Sequence, residues 1–415
     1  MAQTLSNIQA LLKERYRYYP KLLQENEQKF NSKVKSKNVE LAGNRTLRMP
    51  KKLKSGGDFR TFSPDGGDMG LGSGAVYDVA YMTPIYWSVA VQWNWQVETE
   101  TTSKQLSVEN AFETHLADAY DQYSVQVDKM YQTAGDAVLL TQSAGAGTTA
   151  ITAAAGAGFG TRLLYPNQIY DVYDSTLATL RADGPYRVIS VNNEAGTFVI
   201  NTAVTGNANT DVWVTAGMSG ANPTGLYGIP YHDSGATSGT WLNLSRATYP
   251  QLRTPFVTAS APLALGQMRL LMNKMRMFRT DCFSTGSWAW YMSEAQEDAY
   301  QALHQAIMNY DMSRRGEFDL IAEPRGINGI QIIVSSNANP TRVELVDFEN
   351  WGRGETVELK LYDVDEMTTF PLYASSGGLA ASQIFYLVSA FQTFVDDPGR
   401  AGYIASLDKP TGYNY

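Results

Sequence analysis

From Ile85 to Glu98 the chain alternates without a break. Ile85, Trp87, Val89, Val91, Trp93, Trp95 and Val97 hold one parity, and Tyr86, Ser88, Ala90, Gln92, Asn94, Gln96 and Glu98 hold the other. Successive side chains of a strand point to opposite faces, so the pattern predicts one long strand with a single face in a core. It also fixes the register, because a slip by one residue would turn all three tryptophans out to water. Strands usually run to about five or six residues. One of this length needs cover along its whole face, either from a helix it curls over or from a neighbouring subunit.

A candidate for that cover follows at once. Between Thr102 and Gly135 the larger apolar and aromatic residues are Leu106, Phe112, Leu116, Tyr120, Tyr123, Val127, Met130 and Tyr131. After the first step they recur every three or four residues, the period of a one-faced helix. Thr102 and Gln105 fit a capping box, and Gly135 suits a left-handed stop. Such a helix would be roughly 50 Å long at 1.5 Å per residue. Its stripe of Phe112, Tyr120 and Tyr123 is expected to pack beneath the Ile85–Val97 strand.

The remaining signals divide the chain. Residues 4–30 read as helical up to a break or restart at Pro20, and residues 49–75 are a Gly-, Lys- and Asp-rich excursion. Residues 143–224 are rich in Gly, Ala, Thr and Asn, with short apolar runs separated by turns such as Asp183-Gly184-Pro185. They read as an inserted small β-barrel or sandwich. Residues 262–279 are expected to be helical with Pro262 in the first turn. Residues 282–292 read as a strand, followed by a helix capped by Ser293. Further strands are expected at 327–335, 356–364 and 384–395. Helices and strands without regular βαβ alternation make the class α+β.

Composition bounds the function. A chain of 415 residues with 44% hydrophobic and 18% charged residues is long enough for two or three domains with real cores. No apolar run approaches the ~18 residues of a membrane-spanning helix. The first twenty residues place their charges after their apolar residues, unlike a secretory signal. One cysteine, Cys282, excludes an internal disulfide framework and a multi-thiolate metal site, and points to synthesis in a reducing cytosol. The N-x-S/T matches at Asn44 and Asn243 are then coincidental. Charge is uneven: residues 1–54 carry 13 Lys and Arg against 4 Glu, whereas the rest is net −17. A basic arm lying on an acidic surface or on nucleic acid fits this, and so does a solvated leader. The acidic body argues against sequence-specific DNA binding.

Catalytic signals are few. Gly145-Ala146-Gly147-Thr148-Thr149-Ala150 matches G-x-G-x-x-A, with Asp171 and Asp174 downstream. A dinucleotide site needs a strand before the glycines and a helix after them. Here a helix is expected before, and the Thr- and Gly-rich sequence after is a poor helix former, so a linker into the insert is the better reading. His115, His232 and His304 are the only imidazoles, none four residues from another, and no G-x-S-x-G elbow occurs. Acids at 294–298 suit a helix start, and Cys282 suits a buried small hydrophobe. A stacking platform of Trp93 and Trp95 for single-stranded nucleic acid would need nearby cations, and residues 81–103 contain no Lys or Arg, so core or subunit packing accounts for them better. No enzyme activity, cofactor or metal is expected.

The order of features resembles a known family. A basic arm, a long flexible hairpin with an alternating strand, a long helix and an α+β body follow one another. Gly225-Leu226-Tyr227-Gly228-Ile229 and Leu244 to Pro250 resemble the lead into an apical domain, and Phe394 to Ile404 resembles a closing strand. Together they resemble the major capsid proteins of tailed double-stranded DNA bacteriophages, the Hong Kong 97-like fold. The resemblance implies an N-terminal arm at 1–44 and an extended loop at 45–101. It implies the spine helix of a peripheral domain at 102–142, the inserted β domain at 143–224 and a connection at 225–259. An apical domain at 260–372 and a closing strand and tail at 373–415 complete the scheme. It implies self-assembly into hexamers and pentamers of an icosahedral virion shell in the host cytoplasm, around packaged DNA contacted non-specifically. Portal and scaffolding or decoration proteins would be further partners. Arg45, Arg48, Lys51, Lys52, Lys54, Phe59, Trp87, Trp93 and Trp95 are the candidate inter-subunit contacts. Crosslinking of these lysines is not expected, and the start at Met1 disfavours a cleaved leader. A tail, fibre or decoration protein, or an encapsulin-like compartment shell, are the alternatives.

Overall fold

The alternating segment forms the strand Ile85–Asn94 in the computed structural model, and its odd-numbered residues are the better buried ones. Trp93 is 1% exposed and Tyr86 66%. The structure describes residues 28–37, 40–41, 46–61, 67–68, 70–94, 111–154, 160–182, 184–217, 224–280, 282–303, 329–364, 367–373, 378–410 and 413. Residues 95–98 of the alternation, the Thr102–Gln105 box and residues 4–27 of the N-terminal helix lie outside these. The described chain divides into two compact units. The first takes the residues up to Ser32, Pro84–Lys129 and Glu355–Phe391, and the second takes the remainder. Both boundaries of the third segment fall inside strands, so the division cuts across the expected apical domain.

In the first unit, Ile85–Asn94 pairs antiparallel with the strand Leu379–Val395, in unbroken register from Asn94 opposite Ser382 to Ile85 opposite Phe391. Thr369–Tyr373 pairs with the same strand. The helix Ala111–Met130 supplies the cover. Trp93, Ala119, Phe385 and Leu387 form a core, with Val89, Val91, Leu116, Leu359 and Leu361 packed against it. Tyr123 is buried and its hydroxyl lies 2.5 Å from Ser389 Oγ. Tyr120 does not join the core and is 38% exposed. The inward stripe runs through Leu116, Ala119 and Tyr123, and Tyr120 sits one residue, about 100°, round the helix from Ala119. The Phe112 side chain is outside the described residues.

The expected single hairpin over 45–101 is shorter. Leu47–Lys54 and Val76–Met82 pair antiparallel from Leu47 opposite Met82 to Lys54 opposite Val76. Pro84 follows, which cannot donate to a ladder, and the next strand joins the other sheet. The alternation therefore marks a sheet of the first unit and not an arm of the hairpin. The helix ends at Met130, and Gly135, with φ +87°, lies beyond it. A Cβ there would come 2.9 Å from the Tyr227 ring, so Gly135 serves a close approach and not the helix stop.

The second unit holds the hairpin, a barrel and a mixed sheet. Six strands close the barrel in the order Thr197–Ile200, Ala150–Ala153, Val138–Ala144, Val212–Thr215, Ile169–Tyr173, Tyr186–Asn192. Trp213 is fully buried, with the Phe198 ring perpendicular to it at 4.9 Å. The barrel begins five residues before the expected 143. Gly145 and Gly147, both at positive φ, form its first turn between two strands. That is neither the strand–turn–helix of a nucleotide site nor a linker.

The mixed sheet runs Phe256–Ala261, Gly402–Leu407, Val343–Asp347, Trp288–Met292, Gln331–Val334. Helix Leu265–Phe278 covers one face through Met268, Leu271, Met272 and Met275 against Trp290, Met292, Val343, Leu345 and Ile404. Pro262 lies before this helix, not in its first turn. Gln267 Oε1 accepts from the Ala264 N–H at 3.0 Å, half of a capping box whose other half alanine cannot make. Cys282 is a buried hydrophobe of this core, in a turn rather than at a strand start. Residues 294–303 are helical after Ser293, but the Ser293 Oγ finds no hydrogen-bond partner among the described residues, so the expected side-chain cap is not made.

Candidate assembly surfaces

The hairpin is fixed at its base and exposed at its far end. Leu47, Met49 and Leu53 alternate inward and meet Ala80, Met82, Trp241, Leu244, Leu252 and Phe394. Gln251 Nε2 donates to Leu53 O at 2.6 Å. On the other parity Arg48 lies over the Tyr81 ring, 5.3 Å from its centroid. Beyond the paired strands Phe59 is fully exposed and Leu71 is 91% exposed, while Tyr77 is 67% exposed on the returning strand.

An acidic turn holds the base. Lys37 Nζ lies 2.8 Å from Asp396 Oδ2 and donates to Glu349 O at 2.7 Å. Lys51 Nζ donates to Asp396 O at 2.9 Å and lies 3.7 Å from its carboxylate. Burial pulls the Lys51 amine down from its ordinary value, against the opposing charge of Asp396. The next residue, Asp397, receives both Nε and Nη2 of Arg279 at 2.6 and 2.8 Å. That fork holds the Arg279 guanidinium above its ordinary value through hydrogen bonding to Asp397. One turn thus holds the chain at Lys37, the hairpin at Lys51 and the end of helix Leu265–Phe278.

The expected contact residues separate accordingly. Lys52, Lys54 and Phe59 are exposed on the hairpin. Arg48 is exposed and stacked, whereas Lys51 is committed to Asp396 within the chain. Trp87 is half-buried with its ring 6.3 Å from Phe391. Trp93 is enclosed by its own unit, its ring 5.4 Å from Phe385, so it leaves a neighbour no surface. Arg45 and Trp95 lie outside the described residues. Sequence spacing gave no sign of Asp396, Leu71 or Tyr77 as part of these surfaces. The acid–acid–Pro run was visible, but Lys37 and Lys51 are more than three hundred residues away.

Among the described residues no group of three or more His, Cys, Asp and Glu could hold a metal. His115 is half-buried on the helix, its imidazole lowered by burial. His232 is wholly buried beside Trp351, its Nδ1 accepting from the Trp241 indole at 3.1 Å. His304 lies outside the described residues. A cavity of about 590 Å³ opens at the barrel beside Ile169, Asp171, Leu180, Arg181 and Gly217. Its charged walls are engaged: Asp171 accepts from Gly217 N at 2.9 Å, and Arg181 forks onto Asp211 at 2.7 and 2.8 Å.

No protein-family model and no curated protein matches the sequence. Solved structures do. The capsid asymmetric unit of cyanophage A-1(L) is similar at TM-score 0.54 and 10% identity, over 94% of this chain and 96% of that one. The capsid of Myoviridae phage XM1 is similar at TM-score 0.45 and 10% identity, over 95% and 97%. The holo-SrpI encapsulin complex from Synechococcus elongatus is similar at 0.45 and 7% identity, over 98% and 96%. Over most of its length this mixed α+β chain, rich in strands, matches a chain of the cyanophage capsid: its fold is that of a phage capsid protein.

Proposed function

We propose that the chain is the major capsid protein of a tailed bacteriophage, a structural protein without enzymatic activity. The observation that carries this reading is a likeness spanning 94% of this chain and 96% of the cyanophage capsid chain. A partial likeness would fit a shared domain; one this complete fits a shared role. In this reading copies of the chain form hexamers and pentamers of an icosahedral shell around packaged double-stranded DNA. The exposed hairpin end, with Lys52, Lys54, Phe59 and Leu71, lies on a neighbouring copy. The basic residues 1–44 lie on the acidic body of a neighbour or face the genome, to which they bind without sequence preference. Portal and scaffolding or decoration proteins complete a particle assembled in the host cytoplasm.

Nuclease treatment of purified particles containing the chain tests the reading. Double-stranded DNA protected inside them is the expected result. Particles filled with a protein cargo and free of DNA would make the chain a compartment shell instead. Threefold or linear assemblies would make it a tail, fibre or decoration protein.

A further inference from the structure

The mixed sheet has a second buried face, opposite helix Leu265–Phe278, where two carboxylates meet one cation among the described residues. Tyr291, Glu344 and Tyr403 are cross-strand partners on it. The short turn Ile229–His232 delivers Asp233 to this region. Asp233 is 0% exposed and Glu344 6%. Neither carboxylate oxygen of Asp233 finds a hydrogen-bond donor among the described residues, and Glu344 Oε2 finds none either.

One cation serves both acids. Arg342 is ion-paired to Glu344, and its Nη2 donates to the backbone O of Asp233 at 2.8 Å, not to its carboxylate. Its guanidinium stacks on Tyr403, 3.8 Å from the ring centroid. The other described polar groups facing the pair bring no further cation. Tyr291 OH accepts from Gln132 Nε2 at 3.0 Å. Asn339, with Gln132, Tyr291 and Arg342, lines a cavity of about 10 Å³ beside Glu344. Imidazole His232 is turned to Trp241, and Arg246 donates to Tyr231 O at 2.9 Å. Asp347, further along the strand, has its own partner in Arg400 at 2.7 Å.

Two ionised carboxylates against one guanidinium would leave a buried negative charge with no donor, and such a charge costs several kcal/mol. We infer that Asp233 and Glu344 form a proton-binding pair, charged with one proton at neutral pH, whose deprotonation loosens the second unit as pH rises. Burial, then the charge of Glu344, raise the Asp233 carboxyl well above its ordinary value. Burial raises Glu344 to about 7 against the pull of Arg342. The sign follows from linkage: an acid whose folded value is raised is unpenalised below its unfolded value. Its stability is lost as pH climbs from about 4.5 through about 7.

Thermal unfolding of the full chain, wild type beside Asp233→Asn and Glu344→Gln, tests this between about pH 5 and about pH 8. The amides mimic the protonated acid. Each variant is expected to match wild type near pH 5 and to exceed its Tm by a few degrees near pH 8. An infrared carboxylic-acid band present at neutral pH in wild type is expected to vanish in Asp233→Asn. Variants destabilised equally at every pH, with the band absent from wild type, would overturn the proposal. So would a rise in wild-type Tm with Ca²⁺ or Mg²⁺ near pH 8 that Asp233→Asn abolishes, because the pair would then hold a metal ion and not a proton.

Discussion

At the scale of single residues, parity decides most. Trp93 faces inward with Ile85, Trp87, Val89 and Val91, its partners in the alternation, and it closes the core of Ala119, Phe385 and Leu387. Trp93→Ala is expected to cost about 3–5 kcal/mol, the usual range for deleting a buried large aromatic. Tyr86→Ala, on the exposed parity, is expected to change stability by about 0.5 kcal/mol or less. Denaturant unfolding of the two variants checks the pair. His232 gives a second prediction. Burial holds its imidazole neutral and lowers it to about 3. Below its ordinary value of 6.5 the unfolded chain binds a proton that the fold refuses, so this group removes stability as pH falls from about 6.5 toward about 3. An NMR titration should find the ring neutral, with its proton on Nε2, well below pH 6. Protonation near the ordinary value would contradict the enclosure. What the sequence hid at this scale has a physical reason. Ala119 is too small to mark a helical stripe, so the bulkier Tyr120 looked like the inward residue. Asp233 and Glu344 carry no local sign of burial, because it comes from strands distant in sequence.

At the scale of elements, local signals identified type and distant partners fixed use. Ile85–Asn94 was legible as a strand because its alternation is an intrinsic property of a half-buried sheet. Its partner was not, since Leu379–Val395 lies almost three hundred residues on. The barrel was legible from turn residues between short apolar runs, yet its first strand, Val138–Ala144, began ahead of the composition change. The hairpin was legible as an excursion, whereas its anchor on Asp396 was not. That anchor is testable. Asp396→Ala removes the carboxylate that faces Lys37 and Lys51, which are 30% and 19% exposed at their side chains, and leaves the backbone acceptor of Lys51 in place. Ion pairs this open contribute about 0–1 kcal/mol. Amide exchange in Leu47–Lys54 and Val76–Met82 should therefore quicken up to about fivefold, with the rest of the second unit unchanged. High salt should narrow the difference between variant and wild type. Exchange unaltered in both strands would show that the apolar contacts of Leu47, Met49 and Leu53 alone hold the hairpin.

At the scale of the whole molecule, an acidic body of net −17 beyond residue 54 and a first segment rich in Lys and Arg are complementary between copies as well as within one. The capsid-protein fold was legible as a resemblance in the order of features along the chain, although sequence identity to the cyanophage capsid chain is only 10%. The division into two units was not legible, because it passes through the middle of strands Trp351–Leu361 and Leu379–Val395. Continuous hydrophobic runs give no sign of where a strand leaves one core for another. Electron microscopy of the purified full chain, alone and co-expressed with the other structural proteins of its particle, decides whether the chain builds a closed shell as proposed. Closed shells of uniform diameter are the predicted result; soluble monomers or small open oligomers under both conditions would contradict it.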